Sequence, residues 1–187
     1  MSERSSSEWI RLILLFAGII VLWWFSTPTR LSVATGATLV LVGEAIRLWA
    51  AGHLFKTKLL ITSGPYRFTR NPLYLGRFLI LTGVAVMAYR SDGLTWIALL
   101  AAWLVFFLYY MRRKEAIEPA RLRQVHGDAY EAYYRAVPAL FPRLTPWGAN
   151  TQSWDRSRFS RNREGWTALL LVVLIALFWF KAATDLA

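Results

Sequence analysis

Leu59-Leu60-Ile61-Thr62-Ser63-Gly64-Pro65-Tyr66-Arg67-Phe68-Thr69-Arg70-Asn71-Pro72-Leu73-Tyr74-Leu75-Gly76 is a run of turn formers, aromatics and cations between two long apolar segments, Leu31–Phe55 and Leu73–Tyr89. Gly64-Pro65 breaks any helix, and Pro72 pushes Asn71 out of helical geometry towards an extended one. Pro72 then suits the first position of a new helix, where its missing N–H costs nothing. Backbone amides at such a helix start, with Arg67 and Arg70 beside them, suit an anionic group. A basic loop that only fixes membrane topology accounts for the same residues.

Working outward, the apolar residues fall into five segments that approach the roughly 17–25 residues needed to cross a bilayer: Trp9–Phe25, Leu31–Phe55, Leu73–Tyr89, Leu94–Met111 and Trp166–Phe180. With 56% hydrophobic residues in a chain of 187, this predicts an all-α integral membrane protein with about five transmembrane helices. The N-terminal run ends in Trp23-Trp24-Phe25 without a small-x-small cleavage site, so it reads as an uncleaved first span. The domain reading is a membrane anchor span over 1–30, a membrane core over 31–142, a basic linker over 143–164 and a C-terminal transmembrane helix over 165–187.

The net charge of +11 raises nucleic acid as a partner, but the placement of the cations argues for a membrane instead. Lys56, Lys58, Arg67 and Arg70 lie in one connection, and Arg112, Arg113, Lys114 and eight further arginines follow Met111. The alternate connections hold little more than Arg30 and Arg90. The positive-inside rule therefore predicts a multi-pass protein of a cell or inner membrane, with the N-terminus, the 56–72 loop and the 112–164 region cytoplasmic. Such a face also attracts anionic membrane lipids. There are no cysteines and two histidines, His53 and His126, so no metal site is expected. Oligomeric state is not encoded in any pattern we recognise.

Gly36, Gly43 and Gly52 in the second span permit close helix contact. Glu44 and Arg47, three apart, are expected to neutralise one another facing the bundle. Residues 113–137 read as a polar helical region interrupted by Pro119 and Gly127. Folding of the hairpin between them brings 56–76 and 112–138 together, pooling cations, tyrosines, Asn71 and the carboxylates Glu115 and Glu118. That set suits a polar, zwitterionic cofactor at the cytoplasmic mouth of a lipid-facing cavity. No Ser-His-Asp set, phosphate-cradling glycine loop or His-Glu-x-x-His helix is present.

Leu-Ile-Thr-Ser-Gly-Pro-Tyr-Arg-x-x-Arg-Asn-Pro-x-Tyr-x-Gly over Leu60–Gly76 is followed by Glu-x-x-x-Leu-x-x-x-x-Gly-x-x-Tyr-x-x-Tyr over Glu118–Tyr133 and then by Val137-Pro138. These blocks, in this order, resemble the isoprenylcysteine carboxyl methyltransferase family and the related phospholipid methyltransferases, over roughly residues 31–142. The resemblance implies S-adenosylmethionine as cofactor, bound in a cytoplasmic helical region, and a lipophilic or prenylated acceptor entering from the bilayer. Carried over by position, the cofactor site comprises Lys58, Leu59, Leu60, Ile61, Tyr66, Asn71, Pro72, Leu73, Tyr74 and Glu118. The catalytic cations, associated with the acceptor, fall on Lys114 and its neighbour Arg113. Three departures stand out. Asn71 replaces a histidine common in the family, Pro119 replaces a second glutamate, and Lys114 replaces an arginine and so lacks its bidentate fork.

The leading expectation is thus a membrane methyltransferase acting on an isoprenylcysteine-type carboxylate. The alternatives are N-methylation of a phosphatidylethanolamine-type lipid, an NADPH-dependent sterol-type reductase similar around Asn71-Pro72-x-Tyr74, and a non-catalytic lipid-binding or transport protein.

Overall fold

The computed structural model describes residues 17–54, 60–149, 152–161 and 164–184, and every regular element among them is helical. A first helix, α1, is described over 17–25. It is followed by α2 (Arg30–His53), a 3-10 turn (Gly64–Arg67), α3 (Pro72–Met87), α4 (Leu94–Val105), a π-helical turn (Phe106–Met111), α5 (Arg112–Ala136), α6 (Arg156–Arg161) and α7 (Glu164–Thr184). Three helical stretches are long and apolar enough to cross a membrane: α2, the continuous helix Leu94–Ala136, and Gly165–Thr184 within α7. At 16 residues α3 rises only about 24 Å, short of a typical hydrocarbon core. Of the first expected span, Trp9–Phe25, positions 9–16 lie outside the described residues.

The centre of the fold is the α2–α3 pair. Thr29 and Ser32 cap α2 reciprocally, each backbone N–H reaching the other's hydroxyl at 3.0 Å. The two helices then approach at two glycine pairs. A Cβ on Gly36 would lie 2.5 Å from the Gly83 carbonyl oxygen, and one on Gly43 would lie 2.7 Å from that of Gly76. Each pair is seven residues from the next on both helices, so small residues form one continuous seam. Beside it Glu44 and Arg47 form a buried ion pair at 3.2 Å, with the Arg47 stem lying over Gly76.

The C-terminal helix closes the other face of this pair. Leu174, Phe178 and Ala182 of α7 pack with Val33, Val40 and Met87 in one buried cluster. At its end the Lys181 ammonium donates to the carbonyls of Trp23 and Trp24, satisfying the last turn of α1, and lies 5.0 Å from the Trp23 ring. The helix outside the family resemblance is therefore part of the packed bundle.

On the α4 side, Asp92 accepts the Leu94 N–H at 3.1 Å and pairs with Arg90, while Gly93 takes the left-handed conformation (φ +81°) that the tight turn requires. The expected break at Pro119 does not occur: the proline is buried within a continuing α5. The kink comes at Gly127, with φ 51° and ψ −128°.

Candidate functional site

The Leu60–Gly76 stretch folds as its residues demand. Gly64 sits at φ +58° against the His53 ring and opens the 3-10 turn, and Pro72 opens α3. Asn71 is the residue before that helix, yet its side chain makes no cap. Instead its amide nitrogen donates to Glu115 Oε1 at 2.9 Å and to the Ala139 carbonyl at 2.8 Å. Arg70 joins the same carboxylate, its Nη2 lying 2.9 Å from Glu115 Oε2, while its guanidinium carbon sits 3.7 Å from the centre of the Tyr134 ring. Next along the chain, the Arg70 N–H donates to Pro138 O at 2.9 Å and the Thr69 hydroxyl to Ala139 O at 3.2 Å. The Tyr133 hydroxyl donates to the Tyr66 carbonyl at 2.8 Å. The two motif blocks are thus bolted together through side chains of both.

The segment expected as a basic linker runs across this loop. Arg143 N–H donates to Phe68 O, Trp147 N–H to Arg67 O and Asp155 N–H to Gly52 O, each at 3.0 Å. Arg67 Nε returns a bond to Trp147 O at 3.1 Å, Gln152 N–H donates to the fully buried Ser63 hydroxyl, and the Trp154 indole lies over Gly52 and donates to Leu48 O. Asp155 then caps α6, and bonds from the Ser157 hydroxyl and the Arg158 N–H hold its carboxyl below the usual carboxylate range. Phe141 adds a ring to the cluster of Phe78 and Phe107.

In front of this framework lies an open cleft of about 680 Å³, lined by Tyr74, Tyr109, Tyr110, Arg113, Lys114, Ile117 and Glu118. Lys114 pairs with Glu118 and stands 4.9 Å from the Tyr74 ring centre. Arg113 donates to the Tyr109 hydroxyl at 3.1 Å. The Glu118 side chain is half exposed. An arrangement of two cations, one accessible carboxylate and three phenol rings can hold a zwitterion and a planar or apolar group side by side.

Of the expected site residues, the cleft gathers Tyr74, Arg113, Lys114 and Glu118. Asn71 and Pro72 are buried behind it, and Tyr66 is buried beneath Tyr133. Leu60 packs on the cluster of Tyr130, Tyr133 and Val137, while Ile61 and Leu73 are half-buried. Lys58 and Leu59 lie outside the described residues. Glu115 belongs to neither expected set, although it is the residue on which Arg70 and Asn71 converge. The available signal was its pairing with Glu118, three residues away on the same helix; nothing local says which carboxylate turns inward. Among the described residues no three His, Asp or Glu side chains gather as metal ligands would.

Residues 31–118 match the family model described as phospholipid methyltransferase. The chain is 32% identical over 130 residues to the nickel-cobalt-cadmium resistance protein NccN of Alcaligenes xylosoxydans xylosoxydans, covering 65% of this chain and 54% of that one. It is 34% identical over 133 residues to the cobalt-zinc-cadmium resistance protein CzcN of Cupriavidus metallidurans, covering 68% and 56%. Over 106 residues it is 28% identical to a protein-S-isoprenylcysteine O-methyltransferase of Schizosaccharomyces pombe, covering 57% and 42%. The chain thus spans about half the length of the curated relatives it matches. No solved structure matches it.

Proposed function

We propose that the chain, whose residues 31–118 match the phospholipid methyltransferase family model, is an integral membrane, S-adenosylmethionine-dependent methyltransferase of the phospholipid and isoprenylcysteine type with a lipophilic acceptor. The observation that carries this reading is the cleft, where Tyr74 of the first motif block faces Arg113, Lys114 and Glu118, the last of which opens the second block.

The residues present suit the cofactor. The half-exposed Glu118 carboxylate matches an ammonium or ribose hydroxyls, and the Tyr74 ring offers a π face to a cation. S-adenosylmethionine supplies, when bound, a sulfonium methyl that is already activated for transfer. What remains for the protein is alignment, which can contribute several kcal/mol of the barrier. Arg113 and Lys114 hold the anionic part of the acceptor midway along the helix Leu94–Ala136, where its apolar part ends and a bilayer-borne molecule can reach them. A carboxylate held there needs no general base, which fits a cleft lined without histidine. The asymmetry of Lys and Arg between connections orients this end towards the cytoplasm.

A second reading, N-methylation of a phosphatidylethanolamine-type lipid, is favoured by the same cleft, since Glu118 beside two cations also suits a zwitterionic headgroup. The two are separated by methyl transfer from labelled S-adenosylmethionine to N-acetyl-S-farnesylcysteine and to phosphatidylethanolamine, in the wild type and in Lys114→Ala. The expected result is label in the prenylcysteine, released by mild alkali as an ester must be, and lost in Lys114→Ala. Alkali-stable label in the phospholipid would establish the second reading. Label in neither acceptor would reject both.

A further inference from the structure

We infer that Glu115 is a positioning residue of this methyl-transfer site: through Asn71 and Arg70 it holds the start of α3 against α5, so that Tyr74 faces Lys114 and Glu118 across the cleft. The inference rests on the function proposed above and adds to it a residue with no assigned role.

The geometry links Glu115 to the cleft by short, stiff steps. Both oxygens of the carboxylate are engaged, Oε1 by Asn71 Nδ2 at 2.9 Å and Oε2 by Arg70 Nη2 at 2.9 Å. Asn71 is 5% exposed and the Arg70 side chain 10%, so neither can turn to water for a replacement partner. Among the described residues Arg70 Nε and Nη1 make no hydrogen bond of standard geometry, so besides Glu115 the buried guanidinium has only the Tyr134 face and the neighbouring Tyr130 hydroxyl. From Asn71 the link runs one helical turn: its carbonyl accepts the Tyr74 N–H at 3.0 Å, which fixes the backbone from which the Tyr74 ring projects. From Glu115 it runs one residue back to Lys114, 4.9 Å from that ring, and three residues on to Glu118.

The π turn sets this frame. Phe106 and Met111 are five residues apart, roughly 140° apart around an ordinary α-helix, yet both are buried in one cluster with Leu75 and Leu140. A plain α-helix continuing from Phe106 would bury Tyr110 and, one turn later, turn Lys114 towards Asn71. With the extra residue Met111 takes the core position, Glu115 follows it four residues later onto Arg70 and Asn71, and Tyr110, Lys114 and Glu118 form the ridge that lines the cleft. Asn71 also has both amide hydrogens committed, to Glu115 and Ala139, so it serves the site through this clamp and donates to no ligand.

A role confined to folding would lower the unfolding temperature and leave the folded protein's affinity untouched, and this separates the two. S-adenosylmethionine binding to the purified full chain in detergent is measured by calorimetry, well below each variant's own unfolding midpoint. Glu115→Gln keeps an acceptor for Asn71 but removes the charge that holds Arg70; Kd should rise by about tenfold or more, as a displaced ring and ammonium would require. A Kd within twofold of the wild type overturns the inference, whatever happens to the midpoint. Should Glu115→Gln fail to fold, Asn71→Ser loosens the clamp while leaving the Arg70–Glu115 pair, and the same criterion applies. Wild-type protein that binds no S-adenosylmethionine rejects the proposed function itself, and the positioning role falls with it.

Discussion

The two faces of α3 are built on opposite terms. Towards α2 it presents Gly76 and Gly83 to Gly43 and Gly36, so close that a methyl group would strike backbone oxygen at 2.5 to 2.7 Å. At its N-terminal end, towards α5, it presents Tyr74 to an open cleft lined by long side chains of the π turn and α5. The glycine seam consists of backbone against backbone and has no slack. The cleft face consists of flexible ammonium, guanidinium and carboxylate groups beside tyrosine rings. Rigidity on one side lets the other remain open, because the position of Tyr74 is set from behind.

The sharpest way to break this contrast is to place one side chain on each face. Gly76→Leu should destabilise the protein by about 3 kcal/mol, since neither the Gly43 carbonyl nor the Arg47 stem can withdraw without parting the helices. Ile117→Met, on the cleft wall and 59% exposed, should stay within about 0.5 kcal/mol. Thermal unfolding in one detergent measures both, and equal losses would refute the division into a locked face and an open one.

Glu118→Gln sharpens the comparison from the cleft side. It should weaken S-adenosylmethionine binding about tenfold to a hundredfold, as loss of a charge-assisted bond of about 1.5–3 kcal/mol predicts. The unfolding midpoint should barely move, because an ion pair with one half-exposed partner adds little to stability. Unchanged affinity in calorimetry would remove Glu118 from the cofactor site. The smallest effect belongs to the far end of the locked side. Lys181→Ala strips the last turn of α1 of its cation and should cost about 1 kcal/mol, visible as a lower midpoint with cofactor affinity intact. A loss of affinity there would show that the α7 side and the cleft are coupled.

Much of this was legible residue by residue. Apolar length predicts the membrane helices, and Gly36 and Gly43 announce a close helix contact before any partner is known. Gly64-Pro65 and Asn71-Pro72 mark the turn and the start of α3, because their backbone preferences are local. Other features escape such a reading. Pro119 looks like a break but is absorbed within a continuing helix, whereas Gly127, free to take positive φ, carries the kink. The basic stretch after Pro142 looks like a solvated linker, yet its backbone N–H groups find carbonyls of the 67–68 turn and of Gly52. Those bonds join residues some 75 to 103 positions apart, and no local pattern specifies them.

The amino-acid sequence by itself determined the all-helical membrane class of the protein, the approximate places of its apolar helices, the turn before α3 and the two blocks that the fold brings together. These follow from properties that each residue carries with it: apolar area, backbone freedom and formal charge. Only the tertiary structure decided which of two carboxylates three residues apart turns inward to Arg70 and Asn71 and which faces the cleft. That choice depends on the helical phase, and the phase is set by a single extra residue in the π turn, accommodated because Phe106 and Met111 both find the same apolar cluster.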